Sequence, residues 1–310
     1  MRIPTQRSRF RDGRLHLHDG PIDLIVEAFG EREAVESAYE VAWRRFATIL
    51  DELCTELPLL RARATPLSAC PAGAVARRMA DAVARACGER FITPMAAVAG
   101  AVAEEVLGAM TAAAALRRAY VNNGGDIALH LQPDESFVVG MVDRPDRPSL
   151  VGSATIIGRD RVRGIATSGW RGRSCSLGIA DAVTVLARSA AVADAAATLV
   201  ANAVDLPGHA AIRRVPANAR DPQSDLGDRM VTVGVGVLTS GEIEKALAAG
   251  IAEAERLRNA GALEAAALQL EGETRLYGSA GAFVADQRAG CEAIPLLKSA
   301  PSLHGLGGHQ

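Results

Sequence analysis

The residues Asn122-Asn123-Gly124-Gly125-Asp126 lie between two apolar runs, and Thr167-Ser168-Gly169 and Ala193-Asp194-Ala195-Ala196-Ala197-Thr198 follow them along the chain. The glycine pair offers a turn with free backbone N–H groups, and Thr167-Ser168-Gly169 offers a second turn with hydroxyls. Asp194 and Thr198 are one turn apart on one helix face. Such parts suit a phosphate or pyrophosphate with a hard cation beside it.

Each part also has a plainer reading. Gly124-Gly125 supplies positive φ for any tight turn before a strand, and Asp126 can satisfy turn amides. An acid in a helix as apolar as that of Asp194 needs a partner, whether a metal, a capping amide or a basic side chain. Cys175 lies between two serines with Arg171 and Arg173 nearby, a setting that favours thiolate, although a buried inert cysteine has the same sequence. His16 and His18 alternate on one strand face, as either a metal pair or a solvated face would. His209 follows Pro207-Gly208 with no evident partner.

The elements that must position these groups read as strands, helices, strands, twice over. Two short strands flank Asp19-Gly20-Pro21 within 14–28. Residues 31–57 recur at helical spacing, ahead of Pro58 and Pro66, and helical pattern returns at 72–87 and 94–113. Thr93 is placed to cap the last of these, with Pro94 at its first position. Strands are expected at 119–121, 127–131, 137–142, 151–157, 162–166 and 182–187, and a helix at 189–204. The polar run 213–229, with Pro216 and Pro222, reads as a mobile loop. A strand at 231–238, a helix at 240–259 opened by Ser240, and closing strands at 263–270 and 274–277 complete the pattern. The fold class is therefore α+β, with antiparallel sheets and helices packed on them. The proline-rich break at 143–148 divides the chain into halves of about 1–145 and 146–300, and 301–310 reads as a flexible tail.

Composition sets limits. With 310 residues, 49% of them hydrophobic, the chain can bury a large core. A net charge of −2 gives no electrostatic reason to expect nucleic acid or anionic membrane. Arg7-Ser8-Arg9-Phe10-Arg11 reads as a solvated N-terminal arm. The five scattered cysteines fit neither a disulfide framework nor a zinc site. The apolar run 91–103 is too short to cross a bilayer and no signal peptide is evident, so a soluble cytoplasmic protein is expected.

With these residues in hand, the chain resembles the ApbE-like superfamily, whose best-known members are FAD:protein FMN transferases. The resemblance rests on Asn122-Asn123-Gly124-Gly125-Asp126 for Asn-x-Gly-Gly-Asp and on Thr167-Ser168-Gly169. It continues through Val183-Thr184-Val185 and then Ala193 to Thr198 for Ala-Asp-Ala-x-x-Thr. Ala99-Gly100-Ala101-Val102-Ala103-Glu104 stands where the family has Lys-Gly-Tyr-Ala-x-Asp, and Arg173-Ser174-Cys175-Ser176-Leu177-Gly178 replaces its His-x-x-Asp-Pro. The resemblance implies a T-fold-like single domain of two related halves that binds a nucleotide-like ligand, FAD or FMN, with Mg²⁺ for FMN or phosphoryl-type transfer. It assigns Gly100, Glu104, Asn123, Gly124, Gly125, Asp126, Thr167, Ser168 and Gly169 to the ligand, and the glycine-, hydroxyl- and arginine-rich composition of 167–178, which suits an anion-binding loop, adds Arg173. Asp194, Thr198 and a carbonyl at Ala96 would hold the ion, and Asp194, Cys175 and Ser176 are the groups available for catalysis. A pterin- or purine-binding protein of cofactor biosynthesis, and a sulfur-handling accessory protein using Cys175, are the alternatives. A small-molecule ligand is the expected partner, without nucleic acid or membrane, and with room for a homodimer.

Overall fold

The computed structural model describes residues 4–65, 67–142, 150–278 and 293–294. The expected break at 143–148, Pro66, Cys291 and the tail 301–310 lie outside the described residues.

Strands β1 (Gln6–Arg9), β2 (Leu15–Asp19) and β3 (Ile22–Phe29) lead into helices α1 (Arg32–Thr55), α2 (Leu57–Leu60) and α3 (Ala74–Ala86). A 3₁₀ turn at Pro94–Ala97 runs into α4 (Val98–Ala113), followed by β4 (Arg118–Asn123), β5 (Asp126–Leu131), β6 (Ser136–Val142) and β7 (Leu150–Ile157). Then come β8 (Gly164–Ser168), β9 (Ala182–Ala187), α5 (Ala190–Ala203), β10 (Ile212–Pro216) and α6 (Ala217–Arg220). The rest is β11 (Met230–Val235), α7 (Ser240–Asn259), β12 (Ala265–Leu270), β13 (Glu273–Gly278) and β14 (Ala293–Ile294).

One nine-stranded antiparallel sheet, in the order β1-β2-β3-β4-β5-β8-β9-β12-β13, organises these elements. In the sheet, β1–β3 and β4–β5 flank α1–α4 along the chain on one side of the β5–β8 junction, and β8–β9 and β12–β13 flank α5–α7 on the other. Period-two alternation sends Leu15, Leu24, Val121, Val183 and Leu268 into a core shared with the helices. The opposite face sends Tyr120, Ile127, Leu129, Ile165 and Leu186 against Phe137, Val139 and Ile156 of the small β6–β7 sheet. The mixed, antiparallel architecture is the one expected.

Helix Pro94–Ala113 is long and apolar enough, at mean hydropathy 1.4, to cross a membrane by length and composition. It has the bounds expected for the helix, and it outruns the apolar stretch 91–103 because apolar residues resume beyond Glu104 and Glu105 with Val106, Leu107 and Met110. Here it packs against α1, α3, α5, β4 and β5, as a core helix does.

Three local expectations change. Residues 7–11 are not a free arm: β1 pairs with β2, and Arg7 and Arg9 reach Glu40 and Glu36 on α1 at 2.7 Å each. Residues 213–229 are not a structureless loop. Ile212–Pro216 forms a ladder with Met230–Val235, its two prolines falling at the strand end and in a turn rather than inside the ladder. Thr239, not Ser240, caps α7 through a capping box with Glu242.

Phe46 on α1 is fully buried in the helix-side core. Phe46→Ala is expected to lower unfolding free energy by about 3–5 kcal/mol, measured by urea denaturation. A loss under about 1 kcal/mol would show that this layer does not close the core.

Candidate active site

The β4–β5 hairpin turns through Gly124 and Gly125, with φ of 65° and 116°, between the paired residues Asn123 and Asp126. Positive φ at both central positions is what a two-residue hairpin of this twist requires. The turn amides are not all free, because Gly125 N–H donates to Asn122 Oδ1 at 2.9 Å. Asn123 points to the helix side and donates from Nδ2 to the Ala99 carbonyl at 3.1 Å, fixing the hairpin to the start of α4.

Helices α4 and α5 meet closely at Gly100. A Cβ there would lie 2.2 Å from the Ala190 carbonyl oxygen, so only glycine fits without moving backbone. This approach lets Asp194, one turn into α5, accept a hydrogen bond from Gly100 N–H at 3.0 Å. Its carboxylate thereby serves unpaired amides at the N-terminal end of α4. Asp126 accepts from Thr167 N–H at 3.2 Å, which ties the hairpin tip to the end of β8.

The two carboxylates are electrostatic neighbours, and both are half-buried. Burial pushes Asp126 up from 3.8 to about 7, against the Thr167 amide. Burial first, and the Asp126 charge second, raise Asp194 well above the usual carboxylate range, against the Gly100 and Ala99 amides. Some solvent still reaches both side chains, which tempers the effect without changing its sign. Among the described residues no basic side chain pairs with either. Ionisation of both is therefore disfavoured unless a cation offsets the charge.

The surroundings supply more. The Arg173 guanidinium lies 3.9 Å from where a Gly124 Cβ would stand, exposed and without an ion-pair partner among the described residues. Ser168 faces the helix side by strand alternation, whereas Thr167 points to the other face and meets Thr184 Oγ1 at 2.9 Å. Thr198 is half-buried one turn beyond Asp194, and Ala96 lies in the 3₁₀ turn that leads into α4. No cluster of three His, Cys, Asp or Glu is placed to hold a metal among the described residues. The two carboxylates offer oxygen donors alone, the donor type that hard cations such as Mg²⁺ take.

A family model described as AbpE bacteria matches residues 7–276. The chain belongs to this family. It is also similar to the UPF0280 protein of Methanocella arvoryzae, 39% identical over 173 residues, which is 53% of this chain and 67% of that one. The UPF0280 protein of Methanopyrus kandleri is 37% identical over 166 residues, 51% of this chain and 63% of that one. The chain thus spans about two thirds of the length of these relatives. Among solved structures it is similar to apo flavinyl transferase ApbE of Pseudomonas stutzeri, at 11% identity and a TM-score of 0.37, over 90% of this chain and 96% of that one. For the flavin transferase ApbE of Vibrio cholerae the values are 13%, 0.35, 90% and 98%. At that level of likeness nothing about the site follows from the solved structures.

Within this AbpE chain the remaining sequence candidates separate from the carboxylate pair. Glu104 pairs with Arg78 at 2.8 Å and accepts from Ala191 N–H, so it caps α5. Ser176 is buried, donates to Asn202 Oδ1 at 3.2 Å and accepts from Gly178 N–H. Gly169 is pressed against the Asp181 carbonyl, where a Cβ would lie 2.4 Å from the oxygen. Cys175 is half-buried and makes no polar contact with a described residue, and Arg171 is committed to Asp181. The pairing of Asp126 with Asp194 was not read from the sequence. Both were singled out, but the β5–β8 pairing and the α4–α5 contact at Gly100, which bring them together, are tertiary relations.

The pair dictates a pH dependence. Between 3.8 and about 7 the folded chain holds a proton on Asp126 that the unfolded chain has lost. Its contribution to stability is full below that lower value and is lost as pH rises through the upper one. Without divalent ions, the wild-type Tm is expected to fall relative to Asp126→Asn between about pH 4 and pH 8. Parallel curves across that range would contradict the assignment.

Proposed function

We propose that this chain binds a flavin or other nucleotide-like ligand together with Mg²⁺ beside the β4–β5 turn and catalyses FMN or phosphoryl-type group transfer. The observation that carries the reading is the Asp126–Asp194 pair. It is a half-buried double carboxylate with no basic partner among the described residues, next to an exposed arginine at a glycine turn. Membership in the AbpE family supports the same reading.

In this proposal Arg173, Ser168 and Gly124 take the phosphate oxygens, and Asn123 keeps the turn docked on α4. Asp194, Asp126, Thr198 and the Ala96 carbonyl would hold Mg²⁺. Bound there, the ion would neutralise charge developing on the phosphate oxygens. Gly100 and Thr167 set the carboxylates through backbone N–H groups, so both acids are oriented before ligand arrives. Deprotonation of the pair accompanies ion binding, which makes affinity rise with pH.

The test is calorimetric titration of the full chain with FAD, with and without Mg²⁺, beside the absorbance of the purified protein near 450 nm. Mg²⁺-dependent FAD binding is expected. Asp194→Ala should weaken it by at least about tenfold, and Arg173→Ala should weaken it by about tenfold whatever the ion, as loss of a charge-assisted contact does. Wild-type protein that binds no FAD with Mg²⁺, and carries no flavin, would remove the proposal.

A further inference from the structure

Thr93 stands where it would cap the helix that starts at Pro94, yet its side chain makes no capping hydrogen bond. The hydroxyl donates instead to Asp225 Oδ2, at 2.5 Å and 132 positions away in sequence. Thr93 is only 2% exposed. A cap is worth about 1 kcal/mol, so a buried threonine that spends its hydroxyl on a distant loop gives up local helix stability for a long-range contact. Seven residues after Thr93, Gly100 holds Asp194.

Asp225 lies at the tip of an arm made of β10, α6, a run of turns and β11. The tip is internally tied, with Ala217 N–H donating to the Arg229 carbonyl and Asn218 N–H to that of Gly227. Beside the Asp225 contact, the Arg229 guanidinium sits 3.4 Å from the Phe91 ring centroid, so the tip grips residues 91–93 twice. The arm's base grips the other side of the site. Thr232 N–H donates to the Ser176 carbonyl at 2.9 Å, three residues beyond Arg173, and Arg214 pairs with Asp205.

We propose that this arm ties together the two walls of the site, the Arg173-bearing loop and the start of α4, and that Asp225 is a positioning residue acting through Thr93. It holds the 3₁₀ turn and the first turn of α4 where Ala99 meets Asn123 and Gly100 meets Asp194. Its consequence for ligand affinity rests on the function proposed above. The tie itself does not.

Amide hydrogen exchange on the full chain without ligand tests the tie, and FAD titration with Mg²⁺ tests its consequence. Asp225→Ala and Thr93→Val are expected to speed exchange in segments 94–101 and 169–178 by about tenfold, with the α7 and β12 amides unchanged. Asp225→Asn, which keeps an acceptor for the Thr93 hydroxyl, should restore the slow exchange. Asp225→Ala should weaken Mg²⁺-dependent FAD binding by about 10- to 100-fold through faster dissociation, and Asp225→Asn should recover most of it. Unchanged exchange in Asp225→Ala, or an Asp225→Asn variant as loose as Asp225→Ala, would overturn the tie. Slow exchange regained with wild-type protein that binds no FAD would uphold the tie and reject the proposed function alone. FAD affinity unmoved in Asp225→Ala while wild type binds would overturn the positioning role.

Discussion

The contact between α4 and α5 at Gly100 sets the geometry on which the site depends. No side chain fits between Gly100 and the Ala190 carbonyl, so the two helices meet backbone to backbone. Once they do, Asp194 reaches the amides at the head of α4, where the helix presents partial positive charge. The β4–β5 hairpin then docks on the same helix end through Asn123, and Asp126 is carried in beside Asp194. A steric constraint on one glycine thus leads to an electrostatic tension between two carboxylates.

That tension is informative because it has no structural remedy among the described residues. Other acids of this region are neutralised. Glu104 and Glu105 share Arg78, Glu105 also meets Arg45, and Asp181 holds Arg171. Among the described residues, Asp126 and Asp194 receive only backbone amides. As scaffold alone, such a pair is costlier than amides or apolar residues of similar size. A site that needs a cation has a reason to keep both charges.

The amino-acid sequence made the helix and strand elements legible because long apolar periodicity survives any tertiary context. The glycine turn and the apolar helix of Asp194 were visible for the same reason. What it did not disclose were relations set by sheet order. Asp126 and Asp194 are joined across the β5–β8 pairing, and no local pattern announces that strands separated by β6 and β7 will be neighbours. The β11 strand of the arm was legible, but β10 and the tip were hidden by prolines and charges, which look like loop until Arg214 finds Asp205 and the ladder to β11 is seen. Thr93 was misleading in an instructive way. Its position fits a cap, but a distant carboxylate outcompetes the local amide. Ser176 and Glu104 carried chemistry by type alone, and their hydrogen bonds to Asn202 and to the head of α5 give them scaffold work.

The central claim is that the Asp126–Asp194 pair is a divalent-cation site. Crystals grown with Mn²⁺ in place of Mg²⁺, measured at a wavelength where manganese scatters anomalously, test it most directly. The account predicts an anomalous peak within about 2.5 Å of a carboxylate oxygen of Asp194, with Asp126 beside it, and its loss in Asp194→Asn. A well-ordered map with no peak there, and with the two carboxyl groups sharing a short hydrogen bond in the presence of saturating Mn²⁺, would contradict it.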